Sequence, residues 1–301
     1  MNLSDYVRVI TLLKLPLLAS LILPWLLVYL GLHIVQRGVI FVDLALAQMA
    51  AFGTCLALAF HYDVHDWQSY AFSLGFTFVG AVLLTFTRSK DQRVPQEALI
   101  GIVYVVAAAA SILALSKSAG GNEELQRSLV GELLVVKGED IFRTFVLFLI
   151  VGAVHLVFRK QFFAISTNPA RAAASGLNVR WWDFLFYVLF GIVVTSFVHI
   201  GGVLLVFTYL VIPASCAAFL VNSWGAKFAL GWGIATIGSV VSLFITANPS
   251  VDMPIGAATV CVLGLVLFAV TVTRKIIRKS RVGETTASQP AEQSARTDAI
   301  H

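Results

Sequence analysis

Nine stretches of about 20 residues, each almost wholly apolar, recur along this 301-residue chain. That is the length an α-helix needs to cross the hydrocarbon core of a bilayer. They fall at roughly 15–36, 38–60, 67–87, 97–116, 141–158, 182–200, 203–222, 226–246 and 254–273. Lipid offers backbone N–H and C=O groups no water, so helices, which satisfy those groups internally, are what the pattern predicts. The fold class is therefore all-α, a polytopic membrane helix bundle of about nine transmembrane helices. Eight or ten result if the Gly201–Gly202 break is a re-entrant turn or the N-terminal segment bends. Composition agrees, with 58% of residues hydrophobic and 12% charged, where a soluble domain carries about 25% charged residues. The first apolar run is too long for a cleaved signal peptide, and further spans follow it.

The basic residues orient the bundle. One set of connections holds fourteen: Arg37; Arg88, Lys90 and Arg93; Arg159, Lys160, Arg171 and Arg180; Lys227; and the run Arg274, Lys275, Arg278, Lys279, Arg281. The alternate set, with the N-terminus, holds five: Arg8, Lys14, Lys117, Arg127 and Lys137. The richer set is expected in the cytoplasm, which puts the C-terminus inside and, for an odd number of spans, the N-terminus outside. This distribution accounts for the net charge of +5 without a nucleic acid partner. Residues 1–281 read as the membrane domain, and the polar stretch 282–301 (VGETTASQPAEQSARTDAIH) as a disordered cytoplasmic tail.

The segment FVHIGGVLLVFTYLVIPASCAAFL, residues 197–220, is broken twice, at Gly201–Gly202 and at Pro213. Gly costs about 1 kcal/mol and Pro about 3 in a helix interior, and Pro213 leaves the Tyr209 carbonyl without its helical donor, so a kink is expected there. Lipid tolerates such breaks only inside a bundle or beside a polar cavity. Small residues in the second span (Ala45, Ala47, Ala50, Ala51, Gly53) and Ala107–Ala110 suit close helix packing. The three cysteines, Cys55, Cys216 and Cys261, fit no zinc or disulfide spacing and read as packing residues. No GxSxG, HExxH or Walker A sequence is present, and the chain reads as a non-enzyme.

Two connections encode more than a link. The outer one, 117–140, is long and acidic around an apolar patch, LVGELLVV, as a partner-binding segment or a helix on the membrane surface would be. The inner one reads TNPARAAASGLNVRWW. Asn168 is a natural N-cap, Pro169 suits the first helical position, Ala-rich helix formers follow, and Gly176 is a natural stop. A short exposed helix flanked by Arg171 and Arg180 is predicted, of the kind that docking to a soluble cytoplasmic subunit needs.

These features resemble the permease subunits of metal-type ABC importers, which carry zinc, manganese or iron across bacterial inner membranes. That family has a cytoplasmic Asp-x-x-x-Ala-x-x-x-Gly segment; Asn168, Ala172 and Gly176 meet its spacing, with Asn for Asp. The family's Gly-Val-Leu-Leu-Val run leading to Leu-Val-x-Pro-Ala is matched by Gly202-Val203-Leu204-Leu205-Val206 and Leu210-Val211-Ile212-Pro213-Ala214. Glu97 with Ile100-Gly101-Ile102-Val103, and Val130-Gly131-Glu132-Leu133-Leu134, also look like family positions. The likeness covers roughly residues 20–275. It departs in the second span, where the family reads Gly-Asp-Ala-Leu-Ser-His before a Pro-Gly. Here Gln48 stands in the place of that His, Leu44 in the place of that Asp, and Asp43 falls one residue early. Positions 43 and 48 lie about 140° apart on a helix, so the pair does not share a face.

Asp43 and Gln48 are nonetheless the polar residues expected to meet a translocated ion, Asp43 because an intramembrane carboxylate is costly and usually functional; hydration of Asp43 near the inner boundary is the alternative, and helix–helix bonding that of Gln48. His199, just before the Gly201–Gly202 break, is a third candidate, against a plain packing role; His33 and His155 are weaker ones. The outer HYDVHD cluster (His61, Asp63, His65, Asp66) reads as solvated loop polarity. The resemblance implies a homodimeric permease for a divalent metal ion, fed by an extracytoplasmic metal-binding protein. ATP would be used by a separate cytoplasmic subunit docked around 168–176, with no cofactor bound by this chain. The path would alternate at Gly201, Gly202 and Pro213. Alternatives are a metal chelate as cargo, since Gln is a poor zinc ligand, or a stand-alone secondary transporter or channel.

Overall fold

A computed structural model describes residues 3–64, 66–87, 95–116, 123, 131, 136–247 and 253–298, with side chains described from 13 to 276 within those limits. Among the described residues ten helices follow one another: α1 (Leu3–Arg37), α2 (Val42–Ala59), α3 (Trp67–Thr87), α4 (Gln96–Leu115), α5 (Gly138–Val157), α6 (Arg159–Thr167), α7 (Pro169–Ala174), α8 (Val179–Leu220), α9 (Trp224–Thr246) and α10 (Ile255–Asp298). Eight helices among the described residues are long and apolar enough to cross a membrane; α6 and α7 are not.

The eighth helix carries two crossings. It has 42 residues, about 63 Å if straight. Gly202 interrupts it with φ 73 and ψ 166, a conformation close to exclusive to glycine. The chain then returns alongside itself. Phe197 and Tyr209 have ring centroids 5.9 Å apart, where a straight helix would separate them by about 18 Å. At the opposite end His33 lies 6.0 Å from Phe186 and 5.0 Å from Trp224, residues that a straight rod would hold about 57 Å apart. Residues 179–201 and 203–220 are thus antiparallel, and with the seven other long helices they make the nine predicted crossings. Pro213, the second expected break, keeps helical φ/ψ; Gly202 is the one departure within α8. Neighbouring backbones close on the Pro213 turn, since a Cβ on Gly31 of α1 would overlap the Leu210 carbonyl and one on Gly231 of α9 would stand 3.3 Å from the Pro213 carbonyl oxygen. Small residues permit that approach.

α2 is enclosed by α3, α4 and α8. Its predicted small-residue stripe does the enclosing: Ala45, Ala47, Ala50 and Ala51 are buried, and a Cβ on Gly53 would come within 2.5 Å of the Phe72 carbonyl oxygen. Ser73 Oγ ties the two helices further by donating to the Ala50 carbonyl at 2.8 Å. Cys55 and Cys216 are buried and Cys261 is exposed.

At one end of the bundle α6, α7, both ends of α8 and the start of α9 meet the end of α1 and the stretch of α10 around Arg274, for Phe163 packs on Trp224 and the Arg274 guanidinium lies 5.0 Å from the Phe219 ring. Arg159, Lys160, Arg171, Arg180, Lys227 and Arg274 are carried by these segments. At the other end Gly131, at φ 70, sits on the α8 reversal, where an added Cβ would overlap the Gly201 carbonyl. The rest of the outer apolar patch, except Val136, lies outside the described residues, as do Arg88, Lys90, Arg93 and His65. α10 continues as helix to Asp298, past the end of its apolar span at Ile276.

Spin labels on Trp181→Cys and Leu220→Cys, both on exposed positions, are expected well inside the roughly 58 Å that a straight α8 would impose; pulsed dipolar spectroscopy measures this, and a distance near that limit would overturn the reversal. Gly131→Ala should cost about 1–3 kcal/mol in backbone strain alone and lower the melting temperature in detergent by several degrees.

Candidate functional site

The inner connection folds as its residues dictate. Asn168 Oδ1 accepts from Arg171 N at 2.9 Å, with Pro169 at the first helical position of α7. The helix closes with Gly176 N donating to the Ala173 carbonyl and Leu177 N to the Ala172 carbonyl at 3.0 and 3.2 Å, a Schellman motif that requires the positive φ of 88 at Gly176. Ala172 is buried against the bundle, while Arg171, Ala173, Ala174 and Ser175 are exposed. Asn168 also terminates α6, so one residue joins the two short helices.

Directly behind this helix lies a buried polar cluster that the sequence reading did not find. Arg37, counted there among loop cations, closes the last turn of α1, and its Nη1 pairs with Asp183 Oδ1 at 2.8 Å, the two side chains being 4% and 1% exposed. Its Nε donates to Ser166 Oγ in α6 at 3.0 Å, and its guanidinium carbon lies 3.8 Å above the Phe186 ring. His33 Nδ1 is 2.9 Å from the same Ser166 hydroxyl. His155 donates through Nδ1 to the Val151 carbonyl at 3.0 Å and stacks on Phe162 at 4.5 Å. The two histidines are thus held by packing, their rings 6.5 Å apart. The clue was a carboxylate in the first turn of one apolar run (Arg180-Trp181-Trp182-Asp183) and a cation closing another. Deleting one member of such a buried pair costs about 3–5 kcal/mol.

The path candidates lie along α2. Asp43, in its first turn, is wholly buried. Its Oδ1 accepts from Leu44 N at 2.7 Å, and its Oδ2 has no hydrogen-bond partner among the described residues. Gln48 is also buried, and its Oε1 is likewise without a partner among them. Their separation around the helix does not expose either, because α2 is enclosed on several sides. His199 is half-buried near the α8 reversal; it donates through Nδ1 to the Thr195 carbonyl at 2.9 Å, and its Nε2 is 3.4 Å from Thr54 Oγ1. From Asp43 to Thr54 the helix rises about 16 Å, so the three candidates are strung out rather than gathered. Among the described residues no group of three or more His, Cys, Asp or Glu stands together. Glu97, at the start of α4, accepts from Ile40 N at 2.8 Å and so braces the turn that launches α2. In the outer cluster Asp66 Oδ2 accepts from Asp63 N at 2.9 Å, a hydrogen-bonded turn.

Solved structures share this fold. The chain superposes on the PsaBC complex of Streptococcus pneumoniae with Fab at a TM-score of 0.74 and 20% identity, covering 89% of this chain and 95% of that one. An inward-facing metal-chelate type ABC transporter superposes at 0.68 and 21% identity, covering 91% of each chain. In sequence, the manganese transport system membrane protein MntC of Listeria innocua is 28% identical over 193 residues, 64% of this chain and 68% of that protein. The manganese import system permease protein ScaB of Streptococcus gordonii is 24% identical over 215 residues, 71% and 75% of the two. Residues 10–274 match the ABC 3 transport family, a stretch that reaches from within α1 into α10, and the chain belongs to that family.

Proposed function

We propose that the chain is the membrane-spanning permease of an ATP-driven metal importer, with manganese as its cargo. The observation that carries this reading is the exposed, doubly capped helix α7 at the basic end of a chain of the ABC 3 transport family. The names of MntC and ScaB favour manganese, and so does the chemistry of α2. Gln48 offers an amide oxygen, which suits manganese better than zinc, whose usual ligands are Cys, His and carboxylate.

The basic end faces the cytoplasm of a bacterial inner membrane, which leaves the C-terminus inside. Asn168, Pro169, Arg171, Ala172 and Gly176 present α7 to a separate ATP-binding subunit that hydrolyses the ATP. Two copies of the chain pair in the membrane, and an extracytoplasmic metal-binding protein supplies the ion at the outer end. Asp43, Gln48 and His199 line the path, and the Gly201–Gly202 turn with the Pro213 turn absorbs its alternation. Residues 1–281 form the working domain, and 282–301 an appendage to it. The spread of the three candidates, Asp43 and Gln48 in α2 and His199 in α8 beside Thr54, favours a second reading, in which the cargo is a metal chelate that brings its own ligands.

Cells lacking the protein, grown at limiting metal, should lose manganese severalfold by elemental analysis and regain it with the wild type but not with Asp43→Ala. A fall in zinc or iron instead would correct the cargo, equal rescue by Asp43→Ala would remove that residue from the path, and no change in any metal would mean that the cargo is something else. Asn168→Ala with Pro169→Ala removes a cap worth about 1 kcal/mol, so recovery of the ATP-binding subunit by pull-down should drop about fivefold; unchanged recovery would sink the docking role of α7.

A further inference from the structure

We propose that Arg37 is the positioning residue that carries movement of α7 into the start of α2, through its paired bonds to Ser166 and Asp183; this rests on the importer reading. Three observations support it. First, α7 is joined to α6 through the single residue Asn168, whose side chain caps one helix and whose backbone ends the other. A displacement of α7 therefore reaches the last turn of α6, where Ser166 is buried. Second, the Ser166 hydroxyl accepts from Arg37 Nε at 3.0 Å, while Arg37 Nη1 holds Asp183 of α8 at 2.8 Å. One planar guanidinium thus links α6, α1 and α8, and its fixed fork makes the three positions depend on one another. Third, Arg37 is the last residue of α1, and Asp43 lies six residues on. The intervening turn is short and braced, with Gly38 at φ 70, Gly38 N donating to the Val35 carbonyl and Val42 N to the Val39 carbonyl, and Ile40 N held by Glu97. A shift of the guanidinium has no slack segment in which to dissipate before it reaches α2.

The surroundings leave room for such a shift. A cavity of about 90 Å³ borders Arg37, Ser166, Thr167, Pro169 and Gln96, enough for roughly three waters at their liquid volume. Arg37 Nη2 is buried with no partner among the described residues. The guanidinium is packed on Phe186 on one side and borders free volume on the side of the link to α7. It has a spare donor for a second arrangement.

The test uses the full chain assembled with its ATP-binding subunit in proteoliposomes, with manganese supplied outside, and reads three quantities: subunit recovery, ATP hydrolysis and manganese imported per ATP. Ser166→Ala removes only the hydroxyl. Recovery and hydrolysis should stay at wild-type levels while import per ATP falls about tenfold, the factor expected for losing one hydrogen bond to a charged group. Ser166→Thr should restore it. Arg37→Lys, which keeps a charge facing Asp183 but loses the Nε donor, should fall to the same ratio, and it carries the test alone if Ser166→Ala does not accumulate. An unchanged import per ATP would overturn the proposal. So would a joint loss of recovery, hydrolysis and import, which marks a merely structural role. If the wild type itself neither binds the subunit nor imports, it is the importer reading that has failed.

Discussion

The reversal of α8 at Gly202 is the constraint on which the rest of the bundle depends. A 42-residue apolar helix cannot stay straight in a membrane whose core is half its length. Turning back within one residue brings Val179 and Leu220 to the same end of the molecule. That is what allows Asp183, near the start of α8, and Trp224, at the start of α9, to surround the last turns of α1. Three glycines make the turn possible. Gly202 supplies the backbone angles, and Gly131 comes so close to Gly201 that neither a side chain nor an ordinary φ fits.

The buried pair of Arg37 and Asp183 depends on that geometry and in turn fixes it. Two charges withdrawn from water are stabilising only when their remaining hydrogen-bonding groups are met. Here Ser166 and the face of Phe186 meet much of the Arg37 guanidinium. Sliding α1 by one turn would break the Arg37–Asp183 pair, so the pair ties the register of α1 to that of α8. Hydrophobic packing alone would tolerate such a slip far better.

Much of this was legible in the sequence, and the limits have physical causes. Local chemistry read well: Asn168, Pro169 and Gly176 each act through atoms within a few residues, so their cap, start and stop appear in the fold as the residues dictate. The crossings were legible for the same reason, because length and hydropathy are local. At Pro213 the backbone keeps helical φ/ψ, with α1 and α9 backbones packed close on that turn. The pair of Arg37 with Asp183 was missed because its members are 146 residues apart and sit at span ends, where charge is ordinarily ascribed to loops. The contact of Gly131 with the α8 turn is likewise long-range. Asp43 and Gln48 were found as polar residues in an apolar span, but only the enclosure of α2 by its neighbours shows that both are buried despite their angular separation.

The spacing of polar groups along α2 has a consequence for affinity. An ion following that helix would meet Asp43, Gln48 and His199 one at a time, with several ångströms of rise between them. No single stop would replace more than a small part of its hydration shell, so each would hold it weakly, and weak successive stops favour release and throughput over capture. Tight selection of a scarce ion would then have to happen before it enters the membrane. The discrimination would reside in whatever delivers the ion, and this chain would serve as a low-retention conduit.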